Sequence, residues 1–93
     1  MYRKIKSVRP LNNLKLSAVF QDGTEKEYNV GALSSVFPQF KEFDTNPDLF
    51  AKVKVDVGGY GISWNDELDL SADEIWECGI TVGKKDVGLD NMV

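Results

Sequence analysis

The sequence has no histidine, one cysteine, three prolines and no long unbroken hydrophobic run. The missing histidine removes the usual general base near neutral pH and the commonest metal ligand. A lone cysteine, Cys78, cannot form an internal disulfide, which fits a reducing compartment. No segment approaches the ~18 apolar residues that a membrane-spanning helix needs. The opening residues Met1-Tyr2-Arg3-Lys4-Ile5-Lys6 lead into no continuous apolar stretch, so no secretory leader is expected. These absences predict a cytoplasmic protein with no membrane contact, no metal and no cofactor.

What is present suits one small globular domain. The chain has 93 residues, 42% hydrophobic and 28% charged. Such a length buries about 60–65% of its unfolded surface, so one modest core is the limit. Five Phe, three Tyr and two Trp supply bulky material for it. Charge is unevenly placed. Residues 1–15 carry five basic side chains (Arg3, Lys4, Lys6, Arg9, Lys15) and no acid, whereas the remainder carries six basic and fifteen acidic residues. An acidic body argues against direct contact with nucleic acid and is compatible with a basic protein partner. The basic stretch reads as the solvent face of a first strand.

Hydrophobic periodicity gives the elements. A strand over residues 3–9 ends at Pro10, and Leu11-Asn12-Asn13 turns the chain. Leu14, Leu16, Ala18 and Phe20 then alternate with Lys15, Ser17 and Val19. Across the next turn Lys26, Tyr28 and Val30 share one face, and Glu25, Glu27 and Asn29 the other. A two-residue Asp22-Gly23 turn would set Leu16 against Asn29. A three-residue loop, 21–23, sets Leu16 opposite Tyr28 and Leu14 opposite Val30. A one-residue slip flips every side chain, so the pattern selects the longer loop with Gly23 left-handed.

Further along, residues 31–35 suit a single helical turn. Phe37, Phe40 and Phe43 recur at three-residue spacing, as on a loop or short helix with one apolar face. Asn46-Pro47-Asp48 predicts a helix over 47–52, with Asn46 as cap. Val53, Val55 and Val57 form a strand pattern that Gly58-Gly59-Tyr60-Gly61 turns into a second one at Tyr60, Ile62 and Trp64. Ser71-Ala72-Asp73-Glu74 is a capping box that opens a last helix, ended by Gly79. The expected architecture is α+β: a small antiparallel sheet built from two hairpins, with two or three short helices. Residues 1–80 form the domain and 81–93 a flexible tail.

Candidate chemistry is sparse. The acids Asp66, Glu67, Asp69, Asp73, Glu74 and Glu77 lack the alternating ligands and central glycine of a calcium loop. Gly58-Gly59-Tyr60-Gly61 lacks the following helix and Lys-Ser/Thr pair of a phosphate loop. Cys78 lies near a helix C-terminus, where the dipole disfavours a thiolate, so it reads as a packing residue. Residues 58–70 are nevertheless richer than a turn requires. Gly59, Tyr60, Gly61, Trp64, Asp66 and Asp69 are therefore the candidate interface, with no catalytic residue assigned. The opposing account lets the glycines shape a hairpin, Trp64 fill the core, and Asp66 and Asp69 tie down the turn before the helix.

The run Gly58-Gly59-Tyr60-Gly61-Ile62-Ser63-Trp64-Asn65-Asp66-Glu67-Leu68-Asp69-Leu70-Ser71-Ala72-Asp73-Glu74-Ile75-Trp76 resembles the C-terminal signature of the domain-of-unknown-function 2442 family. The first strand at Ile5–Pro10, the Phe20-Gln21-Asp22-Gly23 turn and Pro47-Asp48-Leu49-Phe50 resemble it too. The likeness covers about residues 1–80. It implies a small bacterial α+β domain with no established activity and no catalytic residues to carry over. It also implies relatives of two kinds, some joined to a helix-turn-helix domain and some beside a second small protein in a toxin–antitoxin-like pair. On that basis any DNA contact falls to a separate partner.

Two functions follow. One is a non-enzymatic protein-interaction module, the acidic antitoxin-like or accessory member of a bacterial two-protein system, with a basic protein partner and room for a homodimer. The alternative is a small enzyme or ligand-binding protein using Asp66 and Asp69 beside Trp64.

Overall fold

A computed structural model describes residues 3–84. Strand β1 (Ile5–Pro10) pairs antiparallel with β2 (Lys15–Phe20), which pairs with β3 (Thr24–Asn29). Between β1 and β2 the chain reverses through Asn12–Leu14, where Asn13 and Leu14 both take positive φ, 63° and 56°. The β2–β3 register sets Leu16 opposite Tyr28, as the hydrophobic pattern predicts. The connection is the three-residue loop, with Gly23 at φ 94°. Asp22 closes it by accepting the Thr24 amide at 2.9 Å. Pairing stops at Lys15 and Asn29, one step short of the expected Leu14–Val30 pair.

After β3 come 3-10 turns at Val30–Ser35 and Pro38–Lys41, then two single-turn helices, α1 (Glu42–Thr45) and α2 (Pro47–Phe50). Pro47 opens α2 as expected, but Asn46 makes no capping bond with its side chain and the helix ends at Phe50. Strand β4 is only Lys54–Val55. Val57 falls in the 3-10 turn Val57–Gly59, so the predicted alternation stops early. Strand β5 (Gly61–Asn65) pairs with β4 on one side and with β6 (Leu68–Ser71) on the other. Helix α3 (Ala72–Cys78) and strand β7 (Ile80–Lys84) complete the fold.

The class is α+β, with all pairings antiparallel, but each expected hairpin seeds its own sheet. One has strand order β1-β2-β3-β7 and the other β4-β5-β6. Two strands correct the sequence reading. Residues 68–71, read as a turn before the helix, form β6. The Asn65 side chain accepts the amides of Glu67 and Leu68 at 2.9 and 3.0 Å, which closes a tight turn and frees Leu68 and Leu70 to alternate. Residues 81–84, assigned to the tail, continue β7 along β3 instead. Gly79 makes this possible through space rather than handedness. A β-carbon there would lie 2.5 Å from the Ile75 carbonyl and 3.2 Å from that of Glu27. The rest of the expected tail lies outside the described residues.

The core is where the two sheets and the helical segment meet. Leu16, Ala18, Phe20 and Tyr28 face it from the first sheet, and Ile62, Trp64 and Leu68 from the second. Phe40, Phe43 and Phe50 close one end. Their ring centroids lie 6.3, 4.9 and 5.8 Å from that of Trp64, whose indole N–H donates to the Phe50 carbonyl at 3.1 Å. This cluster gives the three-residue phenylalanine spacing its purpose, although Phe37 is left exposed. At the other end α3 is fixed by its predicted cap. Ser71 accepts the Glu74 amide at 3.1 Å, and Ile75 beyond it is fully buried.

Candidate functional site

The second sheet and α3 hold a rigid projection at residues 56–61. Gly58 and Gly59 have φ of 87° and 81°, conformations that other residues adopt at a cost. The Gly59 amide bonds the Asp56 carbonyl, and the Asp56 amide the Gly61 carbonyl, both at 2.9 Å. Gly59 is buried flat against β1, since a β-carbon there would lie 2.8 Å from the Ile5 carbonyl oxygen. On the other flank the Tyr60 carbonyl accepts the Ala72 amide at the start of α3, at 2.8 Å.

This framework holds apolar side chains out in solvent. Val57 is 98% exposed and Tyr60 52% exposed. The Lys4 ammonium lies 5.2 Å from the centre of the Tyr60 ring, within cation–π range. Beside Tyr60 is a shallow, open depression of about 250 Å³, lined by Asp56, Tyr60, Gly61, Asp69, Leu70 and Ser71. Two of its lining carboxylates are tied to one strand residue: Ser63 donates to the Asp56 carboxylate at 2.7 Å and pairs in register with Asp69.

The structure thus brings Tyr60, Gly61 and Asp69 to one face, while Gly59 packs against β1 outside the depression. Trp64 and Asp66 do not join them. Trp64 is buried among phenylalanines, and Asp66 sits exposed in the β5–β6 turn, outside the depression. Sequence reasoning missed Asp56. Its signal was its position just before the glycine pair, where an aspartate commonly organises a turn.

A second surface surrounds Trp76 on α3. The Arg3 guanidinium lies 4.2 Å and the Lys26 ammonium 4.7 Å from its ring centre, and Phe20 meets it edge-on at 5.0 Å. Here part of the basic N-terminal stretch packs on an aromatic face rather than only meeting solvent. An open depression of about 200 Å³ adjoins it, lined by Arg3, Lys4, Phe20, Gln21 and Asp22.

Elsewhere, titratable groups serve the fold. The Tyr28 hydroxyl donates to Glu74 at 2.8 Å, and burial followed by that carboxylate raises its pKa well above the ordinary value. The Glu74 carboxylate also pushes the exposed Cys78 thiol up, opposite to the activation a nucleophile needs. Glu25 accepts from Ser17 and lies 3.7 Å from Arg9. Among the described residues no cluster of His, Cys, Asp or Glu could hold a metal ion, and no helix is long and apolar enough to cross a membrane.

These features define a small two-sheet α+β domain with open surface depressions and one rigid exposed turn. The profile of the DUF2442 family, proteins of unknown function, matches residues 5–81, and the chain belongs to that family. Among curated proteins no match was found. The fold is similar to the crystal structure of "Putative DNA Binding Protein" from Nitrosomonas europaea, with a TM-score of 0.66 and 23% identity over 82% of this chain. The chain spans about half of that protein, 48% of its length.

Proposed function

We propose that this chain is a non-enzymatic interaction module that binds a basic protein partner at the Val57 and Tyr60 projection and the adjoining Asp56/Asp69 depression. One observation carries this reading. Two left-handed glycines and a close backbone contact with β1 fix a turn whose outcome is an almost fully exposed valine beside a half-exposed tyrosine. A fold has no need of that arrangement for its own core. An interface does, because a rigid aromatic anchor loses little entropy on binding. The two carboxylates suit the head of a partner arginine or lysine whose stem lies along the Tyr60 ring. The acidic bulk of the chain steers such a partner.

The assignment extends to the acidic, antitoxin-like or accessory member of a two-protein bacterial system. The similar Nitrosomonas structure bears the name "Putative DNA Binding Protein", but the match covers only 48% of it. We place any DNA contact on a partner rather than on this domain. The alternative acid–base pair at Asp66 and Asp69 beside Trp64 lacks comparable support, since Trp64 is buried and Asp66 stands outside the depression.

The test compares wild type with Tyr60→Ala and Asp69→Ala against whatever protein co-purifies from the native host. At least one variant should keep the unfolding midpoint while weakening binding tenfold or more, about 1.4 kcal/mol. Added salt should weaken the wild-type complex further. If no protein is captured at low salt, or if binding loss only tracks stability loss, the proposal fails.

A further inference from the structure

We propose, on the basis of the Tyr60 partner contact, that the surface around it is bipolar: a basic seat for a carboxylate adjoins the Asp56/Asp69 depression, so the partner presents an acidic side chain next to its basic one. The basic seat is the depression of about 200 Å³ lined by Arg3, Lys4, Phe20, Gln21 and Asp22. The acidic one, of about 250 Å³, is lined by Asp56, Asp69 and the Tyr60 ring and contains no base. Lys4 joins the two. Its side chain lines the first, and its ammonium lies 5.2 Å from the centre of the ring that lines the second. The turn that exposes Tyr60 also makes room for this junction, since a β-carbon on Gly59 would lie 3.2 Å from that of Lys4.

The two bases of this seat are held in place without being neutralised. The Arg3 guanidinium lies 4.2 Å from the centre of the Trp76 ring, and the Lys4 backbone is pinned where its carbonyl accepts the Gln21 amide at 2.9 Å. Neither side chain forms an ion pair with a described residue, whereas Arg9, further along β1, pairs with Glu25. A ring contact fixes a cation without using its N–H donors, so both heads remain able to bind a carboxylate. Asp22, the acid of this seat, is engaged in its own turn, where its carboxylate accepts the Thr24 amide at 2.9 Å.

The charge pattern selects the occupant. The chain carries fifteen acids and eleven bases, so Arg3 and Lys4 are not left unpaired for want of acids. Opposite charges side by side fit a partner segment that carries the reverse pattern, and they reject a segment of a single sign. A phosphate backbone is disfavoured for the same reason, because Asp56 and Asp69 next door repel it. The Tyr60 ring between the two seats takes the apolar part of the same segment.

Titrating the full chain with N-acetyl-glutamate amide and N-acetyl-arginine amide, followed by nuclear magnetic resonance, separates the two seats. The glutamate probe should shift the Lys4 and Gln21 amides along a saturating curve that Lys4→Gln weakens about threefold or more. The arginine probe should shift Gly61 and Asp69. A glutamate probe without saturable shifts at Lys4 and Gln21, or with shifts indifferent to Lys4→Gln, overturns the basic seat and leaves the Tyr60 contact standing. Saturable binding of a short single-stranded oligonucleotide there, in place of the glutamate probe, overturns it too. A missing arginine response removes the acidic seat and the bipolar surface with it. With the protein captured from the native host, the sign of one effect decides. Lys4→Gln makes the chain more acidic, which tightens a uniformly basic partner. Here it should weaken binding about threefold or more at an unchanged melting midpoint. Lys15→Gln, at the other end of β2 from Phe20, should tighten binding or leave it unchanged. Tighter binding by Lys4→Gln, or equal effects of the two variants, overturns the proposal.

Discussion

Replacing Gly59 with alanine tests the turn on which the functional reading depends. Two costs can be worked from the structure. The backbone sits at φ 81°, where an L-residue is disfavoured by roughly 1–2 kcal/mol. The new β-carbon would also lie 2.8 Å from the Ile5 carbonyl oxygen and 3.2 Å from the Lys4 β-carbon. Neither neighbour is the free end of a flexible side chain. The oxygen belongs to β1, and the Ile5 side chain is 2% exposed, so relief requires moving a strand anchored in the core. Overpacking of this kind costs about 1–3 kcal/mol. The expected loss is therefore about 2–5 kcal/mol, a large share of the ~5–15 kcal/mol typical of such a domain.

Two companion glycines calibrate that number. At Gly58 φ is 87°, but a β-carbon would meet only the Tyr60 ring, at 2.9 Å, and a half-exposed ring can swing aside. Gly58→Ala should cost about 1–2 kcal/mol, mostly from handedness. At Gly83 nothing is near and φ is not positive, so alanine should fall within about 0.5 kcal/mol of wild type. Urea and thermal unfolding followed by the fluorescence of buried Trp64 measure all three. At roughly 4–8 °C per kcal/mol, Gly59→Ala should lower the midpoint by about 8–40 °C. A Gly59→Ala loss below about 1 kcal/mol, or a larger loss at Gly58 than at Gly59, would refute the close-approach argument.

Two further predictions concern α3 and its contacts. Ser71→Ala removes the acceptor of the Glu74 amide and should cost on the order of 1 kcal/mol in urea unfolding, while Ser71→Asp should retain most of the stability. Tyr28 governs an alkaline limit. Its folded pKa is raised, so above the usual tyrosine value of about 10 the unfolded chain ionises first and stability falls as pH climbs. Tyr28→Phe should flatten that fall in unfolding free energy measured from pH 9 upward, and an unchanged slope would remove the residue from the explanation.

Legibility differed with the length of the signal. The β2–β3 register was readable because only one register puts Leu16, Ala18 and Tyr28 on the same side. The Ser71 cap was readable because its hydrogen bond is local, spanning three residues. β7 was not, because its partner β3 is more than fifty residues away and its pattern is two apolar positions long. β6 was hidden by its acids, which suggested a polar turn, although Leu68 and Leu70 flank Asp69 at strand spacing. The candidate site was legible in part. Tyr60, Gly61 and Asp69 converge, and Trp64 fills the core as the opposing account has it, whereas the alternation that set Tyr60 on the face of Ile62 and Trp64 fails at Tyr60, which is half-exposed.

The inward turn of Trp64 also explains how a small fold can support an exposed turn. Trp64 is the fourth residue of β5, its indole N–H bonded to the Phe50 carbonyl and three phenylalanine rings around it. Its strand neighbour Ser63 points the other way and holds Asp56, the residue that opens the turn. The period of two along β5 therefore couples the aromatic cluster to the projection: whatever fixes Trp64 also fixes the Ser63–Asp56 bond one residue away. Gly61, at the start of the same strand, lies so close to β6 that a β-carbon would meet the Leu70 carbonyl at 2.6 Å. The projection thus inherits its rigidity from the core. This is why an exposed valine and tyrosine here are better understood as a preorganised contact surface than as a loose loop.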